Sequence, residues 1–123
     1  MDILERKKEL TSNGECWATV QEFPQYEIST QGRVRKWMAN ETYRYPTLVK
    51  IHNGQYKVSF IDEETKIHGR MIAKLVYETF LGIETNKDIV YLDGDTKNCS
   101  LMNLATIGEL VESYKEKINK ESK

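Results

Sequence analysis

Cysteine, histidine and proline are each nearly absent from this chain, with two of each in 123 residues. The cysteines, Cys16 and Cys99, lie far apart with no CxxC or Cys/His spacing, which argues against a disulfide framework or a structural zinc site. They read as two reduced, part-buried thiols. The histidines, His52 and His68, both fall in strand-like segments and offer few groups that titrate near neutral pH. No apolar run approaches the roughly 18 residues a membrane span needs, and the opening MDILERKKEL has charges where a signal peptide has its apolar segment. The expected location is the cytoplasm, away from membranes. Also missing is an excess of positive charge, since 18 Lys and Arg face 19 Asp and Glu. Proteins whose affinity rests on duplex phosphates normally carry such an excess, so DNA is a disfavoured partner.

What charge there is lies unevenly. Residues 33–74 hold nine basic residues against four acidic ones, and both flanks are net negative. A local basic face on a neutral protein suits a small anionic ligand better than a long polyanion.

The length fits one domain, residues 1–123. Asp2 to Leu10 reads as a short helix or a frayed end, broken by Thr11-Ser12-Asn13-Gly14. Six short segments rich in β-branched and aromatic residues follow: 16–20, 26–30, 33–38, 47–52, 56–62 and 65–71. Turn signals separate them, the clearest being Asn53-Gly54, where both residues tolerate the positive φ of a two-residue hairpin. The period then changes. Ile72, Leu75, Val76, Thr79 and Phe80 recur at helical spacing, as do Ile107, Leu110, Val111, Tyr114 and Ile118. The expected class is α+β, with an antiparallel sheet of about six strands over 16–71, then a helical part over 72–123 whose two helices flank a polar loop at 90–106.

Two stretches resemble one family. EFPQYEISTQGRVRKW, Glu22 to Trp37, resembles the nuclease-associated module of phage and intron-encoded homing endonucleases, and IAKLVYETFLG followed by VYLDGDTKNCSLMNL is similar to their HNH core. The family's two histidine positions fall here at Ala73 and Tyr91, and the second residue of its Asn-Asn pair is Cys99. Asp93, Gly94, Asp95, Asn98 and Asn103 match. The resemblance implies a metal-dependent nuclease scaffold, but a phenol with an ordinary pKa near 10 does not take a proton from water at neutral pH as an imidazole does. A metal on Asp93 and an asparagine oxygen would therefore lack a positioned base. The alternative, a weak HNH nicking endonuclease or its DNA-binding remnant, stands beside a purely structural loop.

The element order is also similar to the Thoeris anti-defence sponge family of phage proteins. That similarity implies a dimer sequestering a cyclic ADP-ribose-type signal in the host cytoplasm. The expectation is a non-catalytic binder of a cyclic nucleotide, homo-oligomeric, with no catalytic residue, cofactor or metal. Its ligand contacts would be Arg33, Arg35 and Arg70 for phosphate, Tyr91 for a base, and Asp93, Asn98 and Asn103 for ribose.

Overall fold

The computed structural model describes residues 2–51, 53–85 and 89–121, with side chains in the last helix described as far as Lys115. It is α+β. Helix α1 (Ile3–Thr11) is capped by Asp2, whose carboxylate accepts from the Glu5 amide. Strands β1 (Trp17–Thr19), β2 (Tyr26–Ser29), β3 (Val34–Trp37) and β4 (Tyr43–Arg44) form an antiparallel meander in that order. A second sheet follows, β5 (Val49–Lys50), β6 (Tyr56–Ile61) and β7 (Ile67–Met71), leading directly into helix α2 (Ile72–Leu81). Strands β8 (Ile89–Tyr91) and β9 (Leu104–Thr106) then pair across a long loop, and helix α3 (Ile107–Glu121) ends the described chain.

The six expected strands are all present, but they belong to two sheets. Between β4 and β5 lies Pro46, which has no amide hydrogen to donate to a ladder. Strand β4, only two residues long, and the short strands bracketing the polar loop carry too little alternation to be read from sequence. The two larger sheets meet at an aromatic junction. Phe23 stacks on Phe60 at 4.8 Å between ring centroids, Tyr26 meets Phe60 edge-on at 4.7 Å, and the Tyr26 hydroxyl accepts from the Ile61 amide at 3.1 Å.

Helix α2 is the hub, touching β2, β6, β7, β9 and α1. Its Ile72, Ala73, Val76, Tyr77, Phe80 and Leu81 are buried with Ile28, Val58, Leu101 and Leu104. It ends at Gly82, whose φ of 67° gives a left-handed cap that a side chain would resist. Helix α3 starts with a capping box, in which the Thr106 hydroxyl accepts from the Glu109 amide and the Glu109 carboxylate accepts from the Thr106 amide. Its expected apolar stripe does not pack inward. Ile107, Leu110, Val111 and Tyr114 are exposed, and Ile118 lies outside the described side chains. Glu109 on the opposite side faces the interior instead. It pairs with buried Lys7 at 2.8 Å and accepts from the Tyr77 hydroxyl, while Lys7 also donates to the Leu104 carbonyl at 2.6 Å. No helix among the described residues is long and apolar enough to cross a membrane.

Candidate functional site

The loop between β8 and β9 is held by its own polar side chains. Asp93 is its centre. One carboxylate oxygen accepts from the Asp95 amide at 2.8 Å and the Asn103 side-chain amide at 2.9 Å, and the other accepts from the Asn98 side-chain amide at 2.9 Å. Asn103 is buried and also bridges outward, donating to the Asn98 carbonyl and accepting from the Asp93 amide. Gly94, at φ 76°, makes the turn, and its amide donates to the Tyr91 carbonyl. These donors, Asn98 first, hold the Asp93 carboxyl below its ordinary range.

Tyr91 enters this loop from the end of β8, half-buried, with the Cys99 thiol near its hydroxyl. Burial pushes the phenol up to about 12 and the thiol up to about 11. Both shifts favour the neutral forms, so neither group serves as a base near neutrality. Ala73 is buried in the core. Both Asp93 carboxylate oxygens thus accept hydrogen bonds from within the loop. Among the described residues, no three His, Cys, Asp or Glu side chains gather as a metal-binding group. His68 sits apart, 2.7 Å from Asp62 at the β6–β7 hairpin, and His52 lies outside the described residues.

A second polar assembly occupies the outer face of the β1–β4 meander. Strand alternation sends Val34 into the core and Arg33, Arg35 and Trp37 to the opposite side. The Arg35 guanidinium lies between two rings, 3.8 Å from the centroid of Trp17 and 3.9 Å from that of Tyr43, and its Nε donates to Glu27 at 2.8 Å. Arg33 lies 5.3 Å from Trp17 and 5.9 Å from Tyr45, and its Nε donates to Glu15 at 2.8 Å. That bond holds the Glu15 carboxyl below its ordinary range. Trp37 meets Tyr43 edge-to-face at 4.9 Å. Trp37, Tyr43 and Tyr45 leave much of their rings in solvent.

The structure therefore sorts the seven expected ligand contacts into three groups. Asp93, Asn98 and Asn103 bond to one another, with Tyr91 beside them. Arg33 and Arg35 share Trp17. Arg70 is elsewhere, donating to Glu22 at 2.8 Å and lying 5.5 Å from the Phe23 ring centroid. An open groove of about 980 Å³ runs past Arg70 and Lys74 between β1 and α2. Sequence reasoning missed the carboxylate partners of all three arginines and the ring contacts of Tyr43 and Tyr45. The i, i+2, i+4 spacing of Arg33, Arg35 and Trp37 was the signal for a shared face.

Searches against known proteins bear on this geometry. One solved structure, "DNA binding and cleavage by the HNH homing endonuclease I-HmuI", superposes with a TM-score of 0.64 over 83% of this chain and 59% of that one, at 19% identity. The fold is HNH-like. This chain thus spans about three-fifths of that endonuclease's length. No family model and no curated protein matches. Within this fold, helix α2 together with β8 and the polar loop up to β9 is the part whose sequence resembles the HNH core.

Proposed function

We propose that this chain is a non-cleaving nucleic-acid binder on an HNH-like scaffold. The observation that carries this reading is the Trp17–Arg35–Tyr43 stack on the outer face of the meander, flanked by Arg33, Tyr45 and Trp37. Interleaved rings and guanidiniums on one surface make a stacking platform for bases. The superposed endonuclease, described as binding and cleaving DNA, supports the ligand class. The loop would act as structure: its carboxylate is tied to amides and its phenol stays protonated. The deciding experiment titrates fluorescently labelled oligonucleotides and assays supercoiled plasmid with and without magnesium. Binding without nicking supports the reading. Magnesium-dependent nicking overturns the non-cleaving half, and no binding to any nucleic acid overturns the whole.

A second reading is favoured by the compactness of the same cluster. Two guanidiniums sharing one indole also suit a single nucleotide, as in sequestration of a cyclic ADP-ribose-type or oligonucleotide signal by an oligomer. Calorimetric titration with cyclic nucleotides distinguishes it. Tight binding of an intact cyclic nucleotide, with no competition by oligonucleotides, would favour the sponge role.

A further inference from the structure

Resting on the nucleic-acid reading above, we propose that the strand held at the meander face is single-stranded, gripped by base stacking on Trp37, Tyr43 and Tyr45 and not by phosphate neutralisation. Duplex affinity comes chiefly from cations that replace condensed counterions. On this face both arginines are already matched, Arg33 with Glu15 and Arg35 with Glu27. A phosphate there would have to compete with a carboxylate at each guanidinium, and the two acids beside it would repel it. Lys36 adds nothing to the face, since alternation turns it to the other side, where its ammonium lies 5.2 Å from the Tyr26 ring centroid.

The rings are placed in the opposite way. Trp37 is 50% exposed, Tyr45 54% and Tyr43 40%, well above what aromatic side chains in a satisfied sheet face require. Trp37 and Tyr43 are braced at an interplanar angle of 64°, so they are ordered platforms that lose little rotamer freedom on binding. An aromatic platform needs the face of a base, and in a duplex those faces are covered by their neighbours. Only unstacked bases present them, and each is worth enough to change affinity by roughly five- to a hundredfold. The sugar is not discriminated by any of these contacts, so single-stranded DNA and RNA are both admitted.

The test follows intrinsic tryptophan fluorescence during titration with oligothymidylate, oligouridylate and a mixed-sequence duplex, at low and moderate salt. The expected result is quenching by both single strands, duplex binding weaker by at least about tenfold, and a shallow salt dependence reflecting about one or two displaced counterions. Trp37→Ala and Tyr45→Ala should each weaken single-strand binding about tenfold, read by anisotropy of labelled oligonucleotide. Trp37→Phe should restore most of the loss. The substituted sites are exposed, and circular dichroism checks that each variant is folded. Duplex binding as tight as single-strand binding, with a steep salt slope, overturns this inference while leaving the nucleic-acid reading intact. Binding to none of the three overturns that reading itself. Single-strand binding unchanged in Trp37→Ala and Tyr45→Ala overturns the assignment to this face.

Discussion

A β-carbon on Gly32 would lie 2.7 Å from Cβ of Cys99 and 3.0 Å from its carbonyl oxygen. The turn between β2 and β3 is therefore seated directly on the polar loop. Nearby, the Leu101 amide donates to the Thr30 carbonyl at 2.7 Å. The Gly-Arg-Val motif has a physical reason here, since Gly32 combines a φ of 81° with a contact that leaves no room for a methyl group.

Gly32→Ala should thus destabilise the protein by about 2 kcal/mol or more, combining left-handed backbone strain with overpacking. The cost should be strongly non-additive with Cys99→Gly, which removes the opposing β-carbon. Urea denaturation of the two single variants and the double variant measures the coupling. Simple additivity would show that the turn and the loop do not press on each other.

Asn103→Ala should cost roughly 2–4 kcal/mol, because it leaves the Asp93 amide and the Asn98 carbonyl without their partner in a buried setting. Amide exchange would also speed up across residues 93–103, read residue by residue by NMR. Stability within a few tenths of a kcal/mol of the parent would mean that the loop is held by its ends alone.

Much of this arrangement could be read from sequence, for definite reasons. Long β6 alternates Val58 and Phe60 inward against Lys57 and Ser59, and α2 repeats apolar residues over ten positions; such periods stand out. The close spacing of Asp93, Asn98 and Asn103 in one polar loop puts them within reach of one another, and their side chains are bonded together. Arg70 could not be separated from Arg33 and Arg35, because which carboxylate each arginine meets depends on pairings 8, 18 and 48 residues away. Nor could α3 be oriented. Its stripe of Ile107, Leu110, Val111 and Tyr114 suggests an inward apolar face, but the capping-box Glu109 is also the partner of Lys7 and turns the helix the other way.

Alkaline pH should unfold the protein earlier than its acidic side chains would suggest. Cys99 and Tyr91 ordinarily release protons near 9 and 10, but in the fold they keep them to about 11 and 12. Burial also raises Tyr77. Between those limits the unfolded chain loses protons first, so stability falls as pH rises from about 9 to 12 and is unaffected by these groups below that. Urea midpoints across this range should decline, and less steeply in Tyr91→Phe. A flat profile would contradict the burial of this pair.

Lys7→Met should destabilise by about 3–5 kcal/mol, since it strands the Glu109 carboxylate and the Leu104 carbonyl in the interior. Adding Glu109→Gln should recover part of the loss by removing the unpaired charge. Thermal denaturation of the three variants provides the comparison, and a neutral Lys7→Met would place the ammonium in solvent.

Lys7 is made well before its partners Leu104 and Glu109, which come 97 and 102 positions later. The opening helix cannot settle into its final place while the chain is still being synthesised up to residue 109. Until then the surface of α2 that it covers stays open. Seating of this helix is therefore a late step of assembly, and the nascent chain is most exposed to chaperones and proteases along α2 before residue 109 emerges.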